Sequence, residues 1–321
     1  MKIRRIVFIS ILLCLLFVLE SFAQSSSSSK PISLINLPDK FSVRCIITYD
    51  VAATEETRWV RMTAMVPESI ANIQKIRRVE YSMKPTRFFV ENGQRYAEFY
   101  IQEPKRNEKL EMTIHADLYR YDLETAINER KKNKLQKSDF EEFLKEEKYI
   151  ETNDRQIKTI AKMINGTTDV QIVRKIYDYV IDNMEYLVQG KNDRGALKAL
   201  QYKKGDCSEY SDLFVAICRA KKIPARVITG ISVQNDTKTA KHNWAEVYLK
   251  PYGWVPFDPS KGDVPITSLK EKLFRSLEPT YIYFTDIRND KVLQNYHYCA
   301  FNYFGGVVQV TDSIRFEFPG R

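Results

Sequence analysis

Three residues of the 321-residue chain stand where they can share one proton: Cys207, His242 and Asp258. Cys207 follows Gly205-Asp206 and opens a run in which Leu213, Phe214, Ala216, Ile217 and Ala220 fit one face of a helix. The pattern predicts a helix that begins at the cysteine. In the first turn of a helix the backbone N–H groups lack intrahelical partners and the dipole presents its positive end. A sulfur placed there is favoured as thiolate, the nucleophilic form, and the same N–H groups can receive the oxyanion of a carbonyl under attack. An imidazole beside the sulfur supplies a base, and a carboxylate on its far nitrogen fixes the tautomer. The chemistry is acyl transfer through a thioester.

Other elements must bring the three together. His242 leads Asn243–Leu249, where Trp244, Glu246 and Tyr248 alternate with Ala245, Val247 and Leu249, as in a strand with one buried face. After the Pro251-Tyr252-Gly253 turn comes Trp254–Phe257, which ends on Asp258. His242 near the start of one strand and Asp258 at the end of its antiparallel partner are then neighbours. Between helix and hairpin, Pro224–Ile231 reads as another strand. Upstream, Ile157, Ile160, Ala161 and Ile164 form one helical stripe, ended by Asn165-Gly166. A second amphipathic helix runs from Asp169 to near Tyr186, and Ala196–Leu200 adds a turn. The layout is α+β.

Three motifs in order carry a resemblance: Gly205-Asp206-Cys207-Ser208-Glu209-Tyr210, then His242-Asn243-Trp244-Ala245-Glu246-Val247-Tyr248, then Gly253-Trp254-Val255-Pro256-Phe257-Asp258-Pro259. With Ile223-Pro224-Ala225-Arg226-Val227 between the first two, they resemble the transglutaminase-like superfamily. The resemblance implies a papain-like core over about 151–321, with Cys207 as nucleophile, His242 as general base and Asp258 as orienting acid. It implies a protein or peptide substrate and no cofactor. Hydrolysis of a peptide or related amide is the first reading. Transfer of a glutamine acyl group to an amine is the alternative, as is a binding or scaffold protein that keeps the fold with an idle site. A third reading places the function in the N-terminal part, with the core as accessory. No acidic cluster of the kind that binds regulatory calcium is evident, and three histidines without a Cys-x-x-Cys pair argue against zinc.

Composition adds bounds. A chain 44% hydrophobic and 28% charged is that of a globular protein long enough for two domains. Lys2, Arg4 and Arg5 precede an apolar run from Ile6 to Leu19, and Ser21-Phe22-Ala23 offers small residues for cleavage, so 1–23 is expected to be a signal peptide, too short to span. Leu13 before Cys14 argues against a lipoprotein signal. Residues 24–31 form a serine-rich tether, and no membrane span is expected after cleavage. The net charge is +9, or +7 without the leader. It permits contact with an anionic envelope surface, although charges of both signs are interspersed. No basic stripe with interleaved aromatics points to nucleic acid. The protein is expected in the periplasm or secreted. Cys45 and Cys218 read as small core residues, and Cys299 alternates to the same face as His297 without a third partner.

Residues 32–123 are expected to form an antiparallel β-sandwich, independent of the core, from six strands: Phe41–Val51, Arg58–Val66, Ile73–Tyr81, Thr86–Val90, Arg95–Ile101 and Leu110–Tyr121. Asn92-Gly93 marks a hairpin, and His115 falls mid-strand as a structural residue. The Lys- and Glu-rich stretch 124–150 is expected to be an exposed connector, helical around Ser138–Glu147 with Ser138 as cap. Beyond Ser260, segments 282–284, 297–304 and 307–310 are expected to complete the core sheet. Arg226, Glu246 and Glu209 read as supports of the fold rather than substrate contacts, and Tyr186 and Trp244 as candidates for the cleft or the core.

Overall fold

Alternation with period two writes six strands into the first third of the chain, and all six form: β1 (Lys40–Ala53), β2 (Trp59–Val66), β3 (Gln74–Tyr81), β4 (Arg87–Glu91), β5 (Gln94–Gln102) and β6 (Asn107–Tyr119). The structure is a computed structural model and describes residues 38–129, 140–188, 193–233, 240–250, 252–294 and 296–319. The expected leader and tether, and Ser138, lie outside the described residues. Opposed apolar positions in β1 and β6, such as Cys45 with Ile114 and Ile47 with Met112, are buried. Asn92 and Gly93, with φ of 51° and 79°, make the β4–β5 turn, which demands positive φ at both central residues. Two four-stranded antiparallel sheets result, and Tyr81 of β3 packs on Phe99 of β5 with ring centroids 5.7 Å apart.

The core follows β7 (Tyr121–Asp122) and α1 (Leu123–Glu129). Its elements are α2 (Arg155–Met163), α3 (Asp169–Asn183), β8 (Glu185–Tyr186), α4 (Ala196–Tyr202), β9 (Lys204–Gly205), α5 (Cys207–Ala220), β10 (Ala225–Ser232), β11 (Lys241–Leu249) and β12 (Gly253–Phe257). Then come α6 (Pro259–Gly262), α7 (Thr267–Arg275), β13 (Ser276–Leu277), β14 (Tyr281–Thr285), β15 (Cys299–Phe304) and β16 (Val308–Glu317). The core sheet is antiparallel in the order β12-β11-β10-β14. Asp154 and Thr168 cap α2 and α3 with their side chains, and the apolar stripes of both join one hydrophobic cluster with α5 and the core sheet.

Three expectations need correction. First, α5 does not bury a single face. Every residue from Ser208 to Arg219 is buried, so its polar members must find partners inside the protein. Second, of the late segments only β14 joins the core sheet. β15 pairs with β2 (Cys299 with Ala64 through Phe304 with Trp59), and β16 pairs with β1 over Arg44–Ala53. The sandwich is thus completed by the last strands of the chain. A fragment ending near 122 would leave β1 and β2 as bare edges, and an unpaired edge is a liability. Third, the connector is only partly solvated where it is described: its first residues belong to α1, and Glu141, Glu142, Lys145, Glu146 and Lys148 stay exposed while its aromatics pack inward. A 3₁₀ turn spans Glu142–Leu144, and Phe140 and Phe143 cover the β11–β12 hairpin, with Phe140 4.2 Å from Tyr248 and Phe143 4.9 Å from Trp254.

Candidate active site

The helix start at Cys207 is built by its neighbours. Asp206 Oδ1 accepts from the Ser208 N–H at 2.9 Å, and Glu209 Oε2 reaches back to the Asp206 N–H at 3.0 Å, a capping box. Glu209 Oε1 also accepts from the Arg194 N–H at 3.0 Å, so this buried carboxylate is a support, as expected. Gly205 is required by close approach: a Cβ there would lie 2.4 Å from Glu209 Cβ. Cys207 stands at the first helical position, partly exposed, at the mouth of a cavity of about 510 Å³.

His242 and Asp258 meet as the hairpin predicts. Nε2 of His242 lies 2.6 Å from Asp258 Oδ2, with both side chains buried. Cys207 is within hydrogen-bonding range of the same imidazole, and with Nε2 taken the nitrogen left for the sulfur is Nδ1. Burial favours the neutral imidazole, but the charge of Asp258, then that of Cys207, outweighs it and raises the His242 pKa to about 10. Burial likewise opposes the Asp258 carboxylate, yet His242, then the Lys261 N–H and the Tyr281 hydroxyl, bring its pKa down to about 2. The pair therefore holds an imidazolium against a carboxylate through the neutral range.

Further hydrogen bonds set the geometry. Asn243 Nδ2 donates to Ser208 Oγ at 2.9 Å, and Thr229 Oγ1 donates to Asn243 Oδ1 at 2.8 Å. This chain ties the residue after the cysteine to the residue after the histidine. Ser260 Oγ and the Lys261 N–H donate to Asp258 Oδ1 at 2.8 and 3.0 Å, and the Tyr281 hydroxyl donates to Oδ2 at 2.8 Å. Ser208 and Asn243 belong to the motifs. Tyr281 lies 23 residues beyond Asp258 with no spacing that announces it.

Both parts of the molecule line the cavity. Cys207, His242 and Asp193 face Tyr49, Tyr298 and Asp312, the last three from or beside strands of the sandwich. Lys241, one residue before His242, pairs with Asp312 of β16 at 2.7 Å. His297 also lines the cavity, but its Nε2 turns to Asp193 at 3.2 Å, away from a pairing with Cys299. Burial, then Asp312, pushes the Cys299 thiol up to about 12, opposed by Lys241. Cys45 and Cys218 are core thiols, and the four described cysteines are all free. Tyr186 is 48% exposed and stands 6.1 Å from the Tyr210 ring, outside the cavity lining, and Trp244 is core. Arg226 spans β10 and β11 to Glu246 at 2.6 Å, a structural pair beneath Trp254. His115 bonds Glu80 at 2.8 Å within the sandwich. Among the described residues no group of three or more His, Cys, Asp or Glu could hold a metal ion, and no helix is long and apolar enough to cross a membrane.

A cysteine at a helix start thus meets a His–Asp pair carried by an antiparallel hairpin. Residues 158–259 match the family model of the transglutaminase-like superfamily, so that stretch of the core is similar to it. A candidate cysteine protease from Cytophaga hutchinsonii shares the fold, with a TM-score of 0.61 at 19% identity over 88% of this chain and 91% of that one. The periplasmic domain of TgpA from Pseudomonas aeruginosa is more distant, with a TM-score of 0.38 at 12% identity over 67% of this chain and 88% of that one. By sequence, 42% of the chain aligns with YebA of Bacillus subtilis at 27% identity and, over an equal share, with an uncharacterized Haemophilus influenzae protein at 31%. The aligned part spans 22% and 43% of those two proteins.

Proposed function

We propose that the protein is an exported cysteine-dependent acyl-transfer enzyme that hydrolyses peptide or related amide bonds. The observation that carries this reading is the buried His242–Asp258 pair, 2.6 Å apart, directed at a partly exposed Cys207 on the cavity wall. In the reaction the Cys207 thiolate attacks the amide carbonyl, and the Cys207 N–H at the start of α5 receives the oxyanion. His242 gives its proton to the departing amine, which leaves a thioester on Cys207. His242, now neutral, takes a proton from water as it attacks, and collapse expels the Cys207 thiolate, releasing the acid and restoring the thiolate–imidazolium pair. An amine in place of water would yield the transamidated product by the same steps.

The experiment is labelling of the protein with an iodoacetamide probe beside Cys207→Ala and His242→Ala. Selective labelling is expected, absent in the first variant and reduced by at least roughly 100-fold in the second, the scale of general-base assistance. Labelling indifferent to His242 would reduce Cys207 to an ordinary thiol. Product analysis on peptide amides, with and without an added amine, then separates hydrolysis from transfer.

The leader-like segment from Lys2 to Ala23 supports export to the periplasm or medium. N-terminal sequencing of protein recovered outside the cytoplasm is expected to begin at Gln24; full-length protein confined to the cytoplasm would count against it.

A further inference from the structure

Asp258 divides its four side-chain hydrogen bonds equally between donors near it in sequence and donors far from it. Oδ1 accepts from Ser260 and Lys261, residues of the short helix that Asp258 itself caps. Oδ2 accepts from two donors on other strands, His242 Nε2 of β11 and the Tyr281 hydroxyl of β14. β14 pairs with β10 and not with β11, so Tyr281 reaches across the sheet to the carboxylate. Its ring is wedged edge-on against Trp244 at 5.0 Å and tilted against His242 at 6.0 Å, which fixes where the hydroxyl points.

We propose that Tyr281 is a positioning residue for the acyl-transfer site: through the Asp258 oxygen it shares with His242, it keeps that carboxylate charged and in register with the imidazole. This rests on the reading of Cys207, His242 and Asp258 as the reacting group. An ionised carboxylate this deeply buried is costly unless its lone pairs are filled, and an O–H···O⁻ bond is among the stronger ways to fill one. The groups around Asp258 are few. His242 faces it from β11, Tyr281 from β14, Tyr177 of α3 bonds its backbone carbonyl, and Lys261 contributes an N–H. Cys207 acts on it through His242, and Tyr186 lies within electrostatic range. His242 and Tyr281 are thus the two side chains that meet Oδ2, and the tyrosine is the one that does not itself exchange a proton with substrate. Burial, then Asp258, keeps its pKa well above the ordinary value, so it remains a donor throughout the working range.

The test is the pH dependence of iodoacetamide alkylation of Cys207 in the wild type and Tyr281→Phe, which keeps the ring contacts. Loss of the hydroxyl is expected to move the acid limb up by about one pH unit, a tenfold loss on that limb, with the plateau within about threefold. In an Asp258→Asn background the same substitution is expected to change the rate less than about twofold, because the tyrosine acts through the carboxylate. An unmoved acid limb, or an equal drop at every pH in both backgrounds, would reduce Tyr281 to packing. NMR titration of the His242 ring gives a readout that needs no reactive thiol. A shift between wild type and Tyr281→Phe supports the proposal even if Cys207 proves unreactive, and an unmoved titration overturns it even if the enzyme reading stands.

Discussion

Replacing Asp258 by Asn is expected to slow alkylation of Cys207 at neutral pH by roughly 10²–10⁴-fold while the protein stays folded. The carboxylate does two things that an amide cannot. It outweighs burial to keep His242 protonated, with a pKa raised to about 10, and it binds the Nε2 proton 2.6 Å away, which leaves Nδ1 for the sulfur. An amide carries no charge, so burial pulls the imidazole pKa back down, and a side-chain N–H turned toward Nε2 would select the tautomer with its proton on Nδ1. Either change removes the cation that stabilises the thiolate. The fold has no such dependence. An Asn oxygen can still accept from Ser260 and Lys261, and the buried site loses a charge it had to compensate. Alkylation rates followed by mass spectrometry at pH 6.5, beside a thermal melt, separate the two effects. A rate equal to wild type would show that His242 does not depend on Asp258.

The same residues show what the sequence could and could not reveal. Cys207 was legible because a helix start has local chemistry, a glycine and a cap within three residues. His242 and Asp258 were legible because a hairpin brings its strand ends together at short separation. Nothing local marks Tyr281, which reaches Asp258, at the end of β12, from a strand three places away in the sheet. The destination of β15 and β16 was equally hidden. Their alternation predicts strands, but a strand pattern does not name its partner, and theirs lie more than 200 residues upstream. The aromatic residues of the connector were outnumbered by charge, so composition read it as solvated although Phe140 and Phe143 close over the hairpin. For α5, apolar spacing revealed one face, while Asp212 and Arg219 concealed that the other faces are buried too.

Asp212 leads to the largest expected effect on stability. It lies on α5 five residues after the cysteine, and its side chain is fully buried. Arg288 answers it with Nε and Nη2 at 2.8 and 2.9 Å from the two carboxylate oxygens, and places Nη1 2.9 Å from Asp193. Burial works against the guanidinium, but Asp212 and then Asp193 hold it charged. Such a pair adds little stability over a hydrophobic replacement, whereas half of one is costly. Arg288→Met is therefore expected to lose about 3–5 kcal/mol in urea unfolding, and Asp212→Leu combined with Arg288→Met to recover most of it. The loss should depend on pH. Burial pushes the Asp212 carboxyl up, and Arg288 is the charge that opposes this. Without Arg288 the folded-state pKa rises further above the unfolded value of about 3.9. A group so raised contributes stability below its unfolded pKa and loses it as pH climbs through the folded one. The deficit of Arg288→Met should accordingly be smaller at pH 4 than at pH 8, and flat in the double variant. A single variant as stable as wild type at pH 8 would mean that water reaches Asp212. A deficit that holds steady with pH would mean that lost packing on the Tyr149 ring, 4.7 Å from the guanidinium, outweighs lost charge. Because Asp193 also holds His297 on the cavity wall, the double variant tests a second point. If stability returns while Cys207 reactivity with bulky probes does not, the ion pair is retained for the shape of the cavity rather than for the fold.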